Sequence, residues 1–414
     1  DDGGDDNDAG GGTLLCPDHP NITEQNVNDN VVCAISGGDT SPVTQDLTLP
    51  ASDEVIYLLD GPVFIGDDEN RTVLTIEAGV TVQGGTGSFL LIQRGSQIQA
   101  NGTAAAPIHL TSTQAAGSRG PEDWGGLVIN GRAPINNGDA NGEAPGEVGT
   151  GTYGGNDPAD DSGTLRYVVV SFAGNKVDTE NELNGIAFQG VGNGTTVEYI
   201  QTHMTSDDGV EFFGGTVDVR YLVVSGSDDD SIDWTGGWTG SLYFAAVQQL
   251  AESGLEAERG IEADNLESDN SKEPFSDPVL SNVTLVARPG DKDTGIRLRR
   301  GTRGELHNFI VTGFGLTCLN VTDAQTETNV ADGTLVIANH VLNCTGGPAT
   351  AGAATDLVEA ATVEVGDPMI NESWIPQDGS PALEIGEGPA GVNYAGAFGP
   401  GDTWADGWIM TDLN

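Results

Sequence analysis

Basic residues are scarce in this sequence, and their scarcity limits the partners that the protein can have. Lys and Arg number 15 against 63 Asp and Glu, so the formal net charge is −48 over 414 residues. Such a charge argues against nucleic acid and anionic membrane as partners. It suits an exterior that contains salt or calcium, although solubility in a salty habitat explains it equally well. No apolar run approaches the ~18 residues of a spanning helix, so no membrane span is expected.

Cysteine is also rare, with four residues at Cys16, Cys33, Cys318 and Cys344. No CxxC pair and no histidine at zinc-ligand spacing accompanies them, which argues against a thiolate metal site. Two local disulfides, Cys16–Cys33 and Cys318–Cys344, are the simplest arrangement for an exported protein. Four buried free thiols are the alternative. The chain opens on an acidic, Gly-rich run, as a processed export product would. We therefore expect an extracellular or outer-surface location.

Helical patterns are nearly absent, and short strand-like phrases recur at a regular interval instead. Tyr199, Tyr221 and Tyr243 open three of these phrases at a spacing of 22 residues. Leu280 and Leu306 open two later phrases, 26 residues apart. A period in the twenties with occasional insertions is typical of solenoids. Two stretches have some helical character: AESGLEAER, which aligns with the repeat, and AATDLVEAAT, which is short.

A second phrase in each repeat has a small residue followed by apolar, polar and apolar positions. It begins at Gly185, Gly209, Ser231, Gly254, Gly295 and Gly315. Alternation with period two predicts a strand with one buried face. Strands at a fixed coil length without intervening helices predict an all-β fold, a single right-handed parallel β-helix with N- and C-terminal capping segments. A β-sandwich would instead need hairpin turns every ~8–12 residues.

The repeats divide the chain into four predicted segments. These are an acidic Gly-rich tail (1–13), an N-terminal cap (14–62), the β-helix coils (63–355) and a C-terminal cap (356–414). Caps are expected because the exposed strand edges of an uncovered solenoid would polymerise. Trp374, Trp404 and Trp408 are predicted to cover the last coil, in preference to forming a sugar-stacking platform.

Several phrases in the earlier coils resemble those of a known family. TIEAG, ANGT and WGGLVINGRAPI lie between residues 75 and 135 and look like the phrases of a widespread group of exported bacterial proteins. The sequence therefore resembles the pectin-lyase-like right-handed β-helix family over roughly residues 63 to 320 and over a closing segment. The resemblance implies the fold, and a shared fold does not by itself imply an activity.

Carboxylates recur at one point of each repeat. Stacking the second strands in register places neighbouring coils about 4.8 Å apart. The predicted outward column is Ala187, Glu211, Asp233, Glu256, Arg297 and Thr317. Just before that strand, the pair Asp207 and Asp208 should stack beside Asp229 and Asp230, with Asp228 adjacent. Like charges this close repel and raise one another's pKa, so a counter-charge is expected.

Two counter-charges are available to these acids. Calcium takes about six to eight oxygen ligands in flexible geometry and suits clustered carboxylates. The predicted calcium ligands are Asp207, Asp208, Glu211, Asp228, Asp229, Asp230, Asp233 and Glu256. The other counter-charge is a basic coil that holds six of the 15 basic residues: Arg288, Lys292, Arg297, Arg299, Arg300 and Arg303.

The family resemblance implies a catalytic interpretation of the same residues. In β-helix lyases, calcium held by acids neutralises a uronate while Arg or Lys removes a proton. In the related hydrolases, catalytic aspartates lie in NTDG and DDC phrases that precede GHG and RIK. Here SDDG, DDDSI and GIRLRRG resemble three of these phrases, but GHG is missing. The carried-over catalytic candidates are Asp207, Asp208, Asp229, Asp230, Arg297 and Arg299.

Three functions therefore compete. The acidity and the missing GHG favour a non-catalytic, calcium-stabilised structural protein of the cell surface that can self-associate. The alternative is a polysaccharide lyase or glycoside hydrolase that acts on an acidic polysaccharide. A surface module that binds a glycan or a transporter partner is the third, and it would expose an aromatic groove formed by Phe213, Trp238 and Tyr243.

Overall fold

A computed structural model of the chain describes residues 15–27, 30–174, 182–251 and 255–413. The predicted tail (1–13) and the start of the predicted rung at Gly254 lie outside the described residues. The strands, in chain order, are β1 (Ile22–Val27), β2 (Asn30–Gly37), β3 (Leu47–Leu49), β4 (Val55–Ile65), β5 (Val73–Ile76), β6 (Thr81–Gly84), β7 (Leu90–Ile92), β8 (Gln97–Asn101), β9 (Ile108–Ser112), β10 (Leu127–Asn130), β11 (Glu143–Pro145), β12 (Thr152–Gly154), β13 (Gly163–Ser171), β14 (Ile186–Gln189), β15 (Thr196–Thr205), β16 (Val210–Phe213), β17 (Val219–Ser227), β18 (Ile232–Thr235), β19 (Ser241–Gln248), β20 (Ile261–Ala263), β21 (Val279–Val286), β22 (Ile296–Leu298), β23 (Gly304–Thr312), β24 (Leu319–Val321), β25 (Leu335–Ala338), β26 (His340–Asn343) and β27 (Val363–Val365). The α-helices are α1 (Ala324–Ala331) and α2 (Ala353–Ala360).

Each coil contributes strands to three parallel sheets that enclose one core. Sheet 1 contains β3, β5, β8, the first parts of β13, β15, β17, β19, β21 and β23, and then β25. Sheet 2 contains β2, β4, β6, β9, the second parts of the same long strands, and then β26 and β27. Sheet 3 contains the end of β4 and then β7, β10, β14, β16, β18, β20, β22 and β24. The predicted parallel β-helix is confirmed, and its crossovers follow the right-handed preference of parallel strands.

The core is a stack of inward side chains from successive coils. Ile186, Val210 and Ile232 lie opposite one another in sheet 3 and are fully buried. One layer further along each strand, the rings of Phe188 and Phe212 stack with centroids 5.4 Å apart. Burial of one such side chain contributes about 1.5–3 kcal/mol to folding. The period-two pattern of the sequence therefore identifies the buried face correctly.

A single residue in left-handed conformation turns the chain from sheet 1 into sheet 2 in each later coil. These residues are Tyr167, Tyr199, Tyr221, Phe244, Asn282, Asn308 and Asn339, all with φ between 49° and 63°. Asn tolerates this conformation well, whereas aromatic residues are strained in it. Stacking offsets the strain, since the ring of Tyr199 lies 4.4 Å from both Tyr167 and Tyr221. Phe244, and not the predicted Tyr243, continues this aromatic column because the coil after Tyr221 is one residue longer.

The predicted disulfides are both present, and each lies near one end of the solenoid. Cys16–Cys33 joins the segment before β1 to β2, and Cys318–Cys344 joins two successive coils near the other end. Strand β1 pairs antiparallel with β2, whereas β2 already pairs parallel with β4. Coil structure therefore begins inside the range predicted as the N-terminal cap.

The α-helices of the described residues are few and lie near the C-terminal end, and two short 3-10 helices occur at Glu147–Gly149 and Pro381–Leu383. The short stretch AATDLVEAAT contains α2, whose Ala354 and Leu357 are buried in the solenoid core. Helix α1 was not expected from the sequence, while the described part of AESGLEAER has no regular structure. None of the helices in the described ranges has the length and apolar character needed to cross a membrane.

The chain after the last strand, residues 366–413, is called the closing segment. It does not cover the last coil, which corrects the predicted position of its tryptophans. It runs back along the outer face of sheet 2, where Gly396 donates its N–H to Asn308 O (2.8 Å). Further on, the ring of Trp408 packs edge-on against Tyr167 at 5.7 Å, many coils from the end. Apolar burial on the outside of sheet 2 explains this path, because Trp408 is only 2% exposed there.

Candidate functional site

The outer face of sheet 3 carries the predicted column of charged side chains. Glu211 lies directly opposite Asp233 in the next coil. Asp233 lies opposite Glu262, and Glu262 lies opposite Arg297. Since the residues stand in adjacent parallel strands, equivalent side chains are vertical neighbours, as the sequence predicts.

Two members of the predicted column were placed in the wrong register. The strand after Asp233 is formed by Ile261–Ala263, so Glu262 and not Glu256 occupies the column. Glu256 instead lies in the loop before that strand, where its N–H donates to the Asp228 carboxylate. In the coil after Arg297, Asn320 occupies the column in place of the predicted Thr317. Both errors arise where an insertion leaves two segments that match the same strand pattern.

A second column of residues lies at the turn just before sheet 3. The N–H of Asp230 donates to Asp208 Oδ1 at 2.9 Å. The N–H of Arg259 donates to Asp230 Oδ1 at the same distance, 2.9 Å. The turn therefore repeats its hydrogen bond from coil to coil, and it stacks Asp208, Asp230 and Arg259 in that order.

The two columns together form a lower group of carboxylates, consisting of Asp208, Glu211 and Asp233. Their oxygens lie within 4.8 Å of one another. Asn184 Nδ2 donates to Glu211 Oε2 (2.7 Å), and Asn184 Oδ1 and Asp233 Oδ1 are buried without a hydrogen-bond partner among the described residues. No arginine or lysine of the described ranges forms an ion pair with this group.

An upper group, consisting of Asp230, Asp233 and Glu262, has the same arrangement one coil further on. Its carboxylate oxygens also lie within 4.8 Å of one another. In the next coil, Asp230 occupies the position equivalent to Asp208, Asp233 the position equivalent to Glu211, and Glu262 the position equivalent to Asp233. The solenoid thus contains two copies of one carboxylate arrangement, which can be compared directly.

Arginines neutralise the upper group. Arg259 Nη1 lies 3.3 Å from Asp230 Oδ2 and 3.0 Å from Glu262 Oε1. Arg299 also contacts Glu262 and pairs with Asp264 at 2.7 Å. In the lower group the position equivalent to Arg259 is held by Asp230, so an acid stands where the upper group has a base.

A third set, the cleft group, consists of Asp207, Asp208 and Asp229. Their carboxylate oxygens lie within 4.8 Å of one another. Asp207 and Asp229 line an open cleft of about 420 Å³, together with Asp228 and Glu256. Glu256 therefore belongs to the acidic surface around the cleft, although it is outside the column.

Burial raises the pKa of the central acids. For Asp208 burial is the main cause, and the neighbouring Asp207 and Asp233 raise its pKa further. The pKa values of Glu211 and Asp233 are raised in the same way, first by burial and then by a neighbouring carboxylate. Burial, followed by the charge of Glu258, raises the pKa of Asp229 to about 6. A nearby cation would lower these pKa values and favour the ionised carboxylates.

Only part of the set of catalytic candidates lies at the open cleft. Asp207 and Asp229 line it, but neither Arg297 nor Arg299 does. Asp208 is 5% and Asp230 is 2% exposed, so both carboxyl groups are buried below the cleft. Arg299 is held by two carboxylates, and Arg297 lies 3.6 Å from Glu262 with 31% of its side chain exposed. A proton-abstracting base must instead reach a substrate.

The predicted aromatic groove is wrong. Phe213 is 7% exposed and Trp238 is fully buried. Tyr243 lies in sheet 1, in register with Arg220, and therefore on another face of the solenoid. These three rings do not form a common exposed surface, because Trp238 points into the core, where its ring stacks on Phe212 with centroids 4.0 Å apart.

Four residues of the site were not predicted from the sequence: Arg259, Glu262, Asp264 and Asn184. The sequence contains a signal for two of them, Glu262 and Asn184. Glu262 lies in Gly260-Ile-Glu-Ala, which fits the strand phrase as well as Gly254-Leu-Glu-Ala does. Asn184 directly precedes Gly185, as Asp208 precedes Gly209, and alignment of these turns would have placed it in the column.

The donor set of the lower and cleft groups fits a hard divalent cation. Carboxylate and amide oxygens are the ligands that calcium prefers, and its coordination tolerates irregular geometry. The residues that can hold it are Asp208, Glu211 and Asp233, with Asp207 and Asp229 at the cleft. The buried Asp233 Oδ1 and Asn184 Oδ1, which lack hydrogen-bond partners, are two of the oxygens available.

Comparison with known proteins agrees with the architecture. Searches of curated proteins and of solved structures find no match. The family model described as a pectate-lyase-like β-helix domain matches residues 41–408, which is nearly the whole chain. The stacked coils and this match lead to one conclusion: the chain belongs to the pectate-lyase-like β-helix family.

Proposed function

We propose that this protein is a structural β-helix of the cell exterior, in which the acid column binds calcium and does not catalyse a reaction. The observation that carries the proposal is the difference between two equivalent carboxylate groups. The upper group has Arg259 as its counter-charge, whereas the lower group has Asp230 at the same position. No arginine or lysine in the part of the chain that the structure describes pairs with the lower group, and a bound cation would supply a counter-charge there.

Calcium is the cation that this chemistry favours. The ligands are oxygens from carboxylates and amides, without sulfur or imidazole in the lower group. Magnesium demands a nearly ideal octahedron and dehydrates reluctantly, whereas calcium accepts a crowded set of carboxylates. When bound, calcium would neutralise the acids and join adjacent coils of sheet 3.

The exterior location is supported by the disulfides and the charge. Disulfides persist in oxidising compartments and are rare in the cytosol. The net charge of −48 would be screened by the salt and calcium of an extracellular medium. Weak extracellular calcium sites, with Kd values of about 10⁻⁴–10⁻³ M, are sufficient in such a medium.

Calorimetric titration of calcium into chelator-treated protein at pH 8 tests the proposal. Binding is expected, with a much weaker response to magnesium, and it should be lost in Asp208→Asn and Glu211→Gln. Arg297→Ala is the matched control, because Arg297 lies in the same column but contacts the upper group. Absence of calcium binding to the folded wild type, or unchanged binding in Glu211→Gln, would contradict the proposal.

Cleavage of an acidic polysaccharide is the second candidate function. It is favoured by the open, carboxylate-lined cleft and by Arg297, whose side chain is 31% exposed on the outer face of sheet 3. Incubation with polygalacturonate and with alginate, with and without a chelator, tests for unsaturated products and for new reducing ends. Cleavage that disappears in Asp208→Asn or Arg297→Ala would replace the structural role by a catalytic one.

Self-association through the ends of the solenoid is part of the proposed role. Large apolar side chains are exposed near both ends: Leu15 and Val27 at one, Leu316 and Val365 at the other, each at least 45% exposed. Exposed apolar residues and strand edges favour contact between copies. Sedimentation velocity with and without calcium should detect oligomers in the wild type and fewer in Val365→Lys. A monomer at every concentration would refute this part.

A further inference from the structure

The outer face of sheet 2 carries a column of hydroxyl and imidazole groups that the acid column does not involve. Ser171, His203, Ser225 and Gln248 lie opposite one another in successive coils. His203 Nδ1 lies 2.7 Å from Ser225 Oγ, and His203 Nε2 lies 2.8 Å from the backbone oxygen of Asp412. The imidazole is therefore held between a serine hydroxyl and the closing segment.

These contacts determine the tautomer of His203. A backbone carbonyl can only accept a hydrogen bond, so His203 Nε2 must carry the proton. Nδ1 then presents its lone pair to Ser225, whose hydroxyl donates to it. Gln201 Nε2 in turn donates to Ser225 Oγ (3.0 Å). Burial lowers the pKa of His203, which favours the neutral ring with a free lone pair on Nδ1.

A small cavity lies beside this pair, between sheet 2 and the closing segment. Its volume is about 110 Å³, and Ser225 and His203 form part of its wall. Leu250, Trp374 and Met410 form the apolar part. The volume equals that of about four water molecules. Such a space fits the acyl part of a small ester and excludes a polymer.

We propose that Ser225 and His203 form a nucleophile and base that hydrolyse small acyl esters in this cavity. A serine bonded to a base that a third group orients is the arrangement that activates a hydroxyl. Here the Asp412 carbonyl is the orienting group. The activity lies on a different sheet from the acid column and is separate from the proposed structural role.

The reaction is balanced with water as its one co-reactant. Ser225 Oγ forms a bond to the ester carbonyl carbon while its proton passes to His203 Nδ1. The bond from that carbon to the alcohol oxygen breaks, and the alcohol leaves with the proton from Nδ1. Water then attacks the acyl-serine, His203 takes its proton, and the proton returns to Ser225 as the carboxylic acid leaves.

The test uses the full chain, p-nitrophenyl acetate and an alkyl fluorophosphonate probe. The probe should label Ser225, as located by peptide mapping, and acetate release should fall about 100-fold or more in Ser225→Ala and His203→Gln. Ser171→Ala is the matched control, because Ser171 lies beside His203 in the same column but bonds Thr111 at 2.8 Å instead.

Two results would overturn this assignment. One is failure of the probe to label Ser225 in protein that melts normally; the other is equal acetate release by wild type and Ser225→Ala. The assays are run with and without a chelator. Activity that persists without calcium separates this site from the acid column, so either proposal can fail alone.

Discussion

The two carboxylate groups of sheet 3 predict opposite responses to the same chemical change. Glu211→Gln removes one charge from the lower group, with which no arginine among the described residues forms an ion pair. Glu262→Gln removes one charge from the upper group, where Arg259 and Arg299 contact that carboxylate. Without calcium we therefore expect Glu211→Gln to stabilise the fold and Glu262→Gln to destabilise it.

The magnitudes follow from the distances. Two unit charges 4.8 Å apart, the limit within each group, repel by about 3 kcal/mol at an effective dielectric constant of about 20. Glu211→Gln should therefore gain up to about 3 kcal/mol in chelator at pH 8. Glu262→Gln loses charged contacts to two largely buried arginines. Each such hydrogen bond contributes about 1.5–3 kcal/mol, so a loss of about 3 kcal/mol is expected.

Calcium should cancel the stability advantage of Glu211→Gln over wild type, because only wild type and Glu262→Gln keep the calcium-binding lower group. At 100 times Kd a ligand stabilises the folded state by about 2.7 kcal/mol. With about 2.1 cal/mol/K of unfolding entropy per residue, a chain of 414 residues then gains about 3 °C in Tm. Wild type and Glu262→Gln should show this gain, whereas Glu211→Gln should lose most of it.

Differential scanning calorimetry of the three proteins, in chelator and in millimolar calcium, measures these effects. Circular dichroism checks that the coils remain folded. Equal shifts for Glu211→Gln and Glu262→Gln would refute the reasoning, because it would mean that the position of Arg259 does not distinguish the two groups.

Three further predictions follow from other features. Because the pKa of Asp229 is raised to about 6 in the fold from an ordinary value of 3.8, the stability that it contributes is full below pH ~4 and is lost as pH rises through about 6. In chelator, the free energy of unfolding should therefore fall by about 1–2 kcal/mol between pH 4 and 7 after solvent screening, and Tm should fall with it. A Tm that does not change over this pH range would contradict the pKa shift. Replacing both Cys318 and Cys344 by Ser opens a loop of 26 residues, which should cost about 3.5 kcal/mol in chemical denaturation. The reduced wild type, which also loses Cys16–Cys33, should be destabilised further, and no loss in the double variant would show that the bridge is dispensable. Trp408→Ala should cost about 3–5 kcal/mol and expose the closing segment to hydrogen exchange while the coils stay protected; uniform loss of protection would show that this segment holds the whole solenoid.

Most of the fold could be predicted because the β-helix is built from local repeats. The period-two phrase at Gly209 and Ser231 identifies inward and outward residues without any long-range information. The column of Glu211, Asp233 and Arg297 followed from coil length alone. The disulfide pairs also followed, because each joins cysteines less than 30 residues apart.

The site was less predictable, because insertions break the repeat where the charge pattern changes. Glu256 and Glu262 both follow a Gly and an apolar residue, and only strand pairing with Asp233 distinguishes them. That distinction matters, since Glu262 brings Arg259 and Arg299 into the upper group. With Glu256 assigned to the column, neither arginine is expected beside the upper group, so the difference in neutralisation between the two groups could not be predicted.

By itself, the sequence determined the class of fold, the buried face of each strand, the disulfides and the accumulation of acids on one side of the solenoid. These properties depend on residue type and spacing within a few dozen positions. Only the tertiary structure decided which acids are neutralised by arginine, where the closing segment lies and that His203 meets both Ser225 and Asp412. These contacts join residues whose separation in the chain carries no periodic signal, and packing energy alone selects among them.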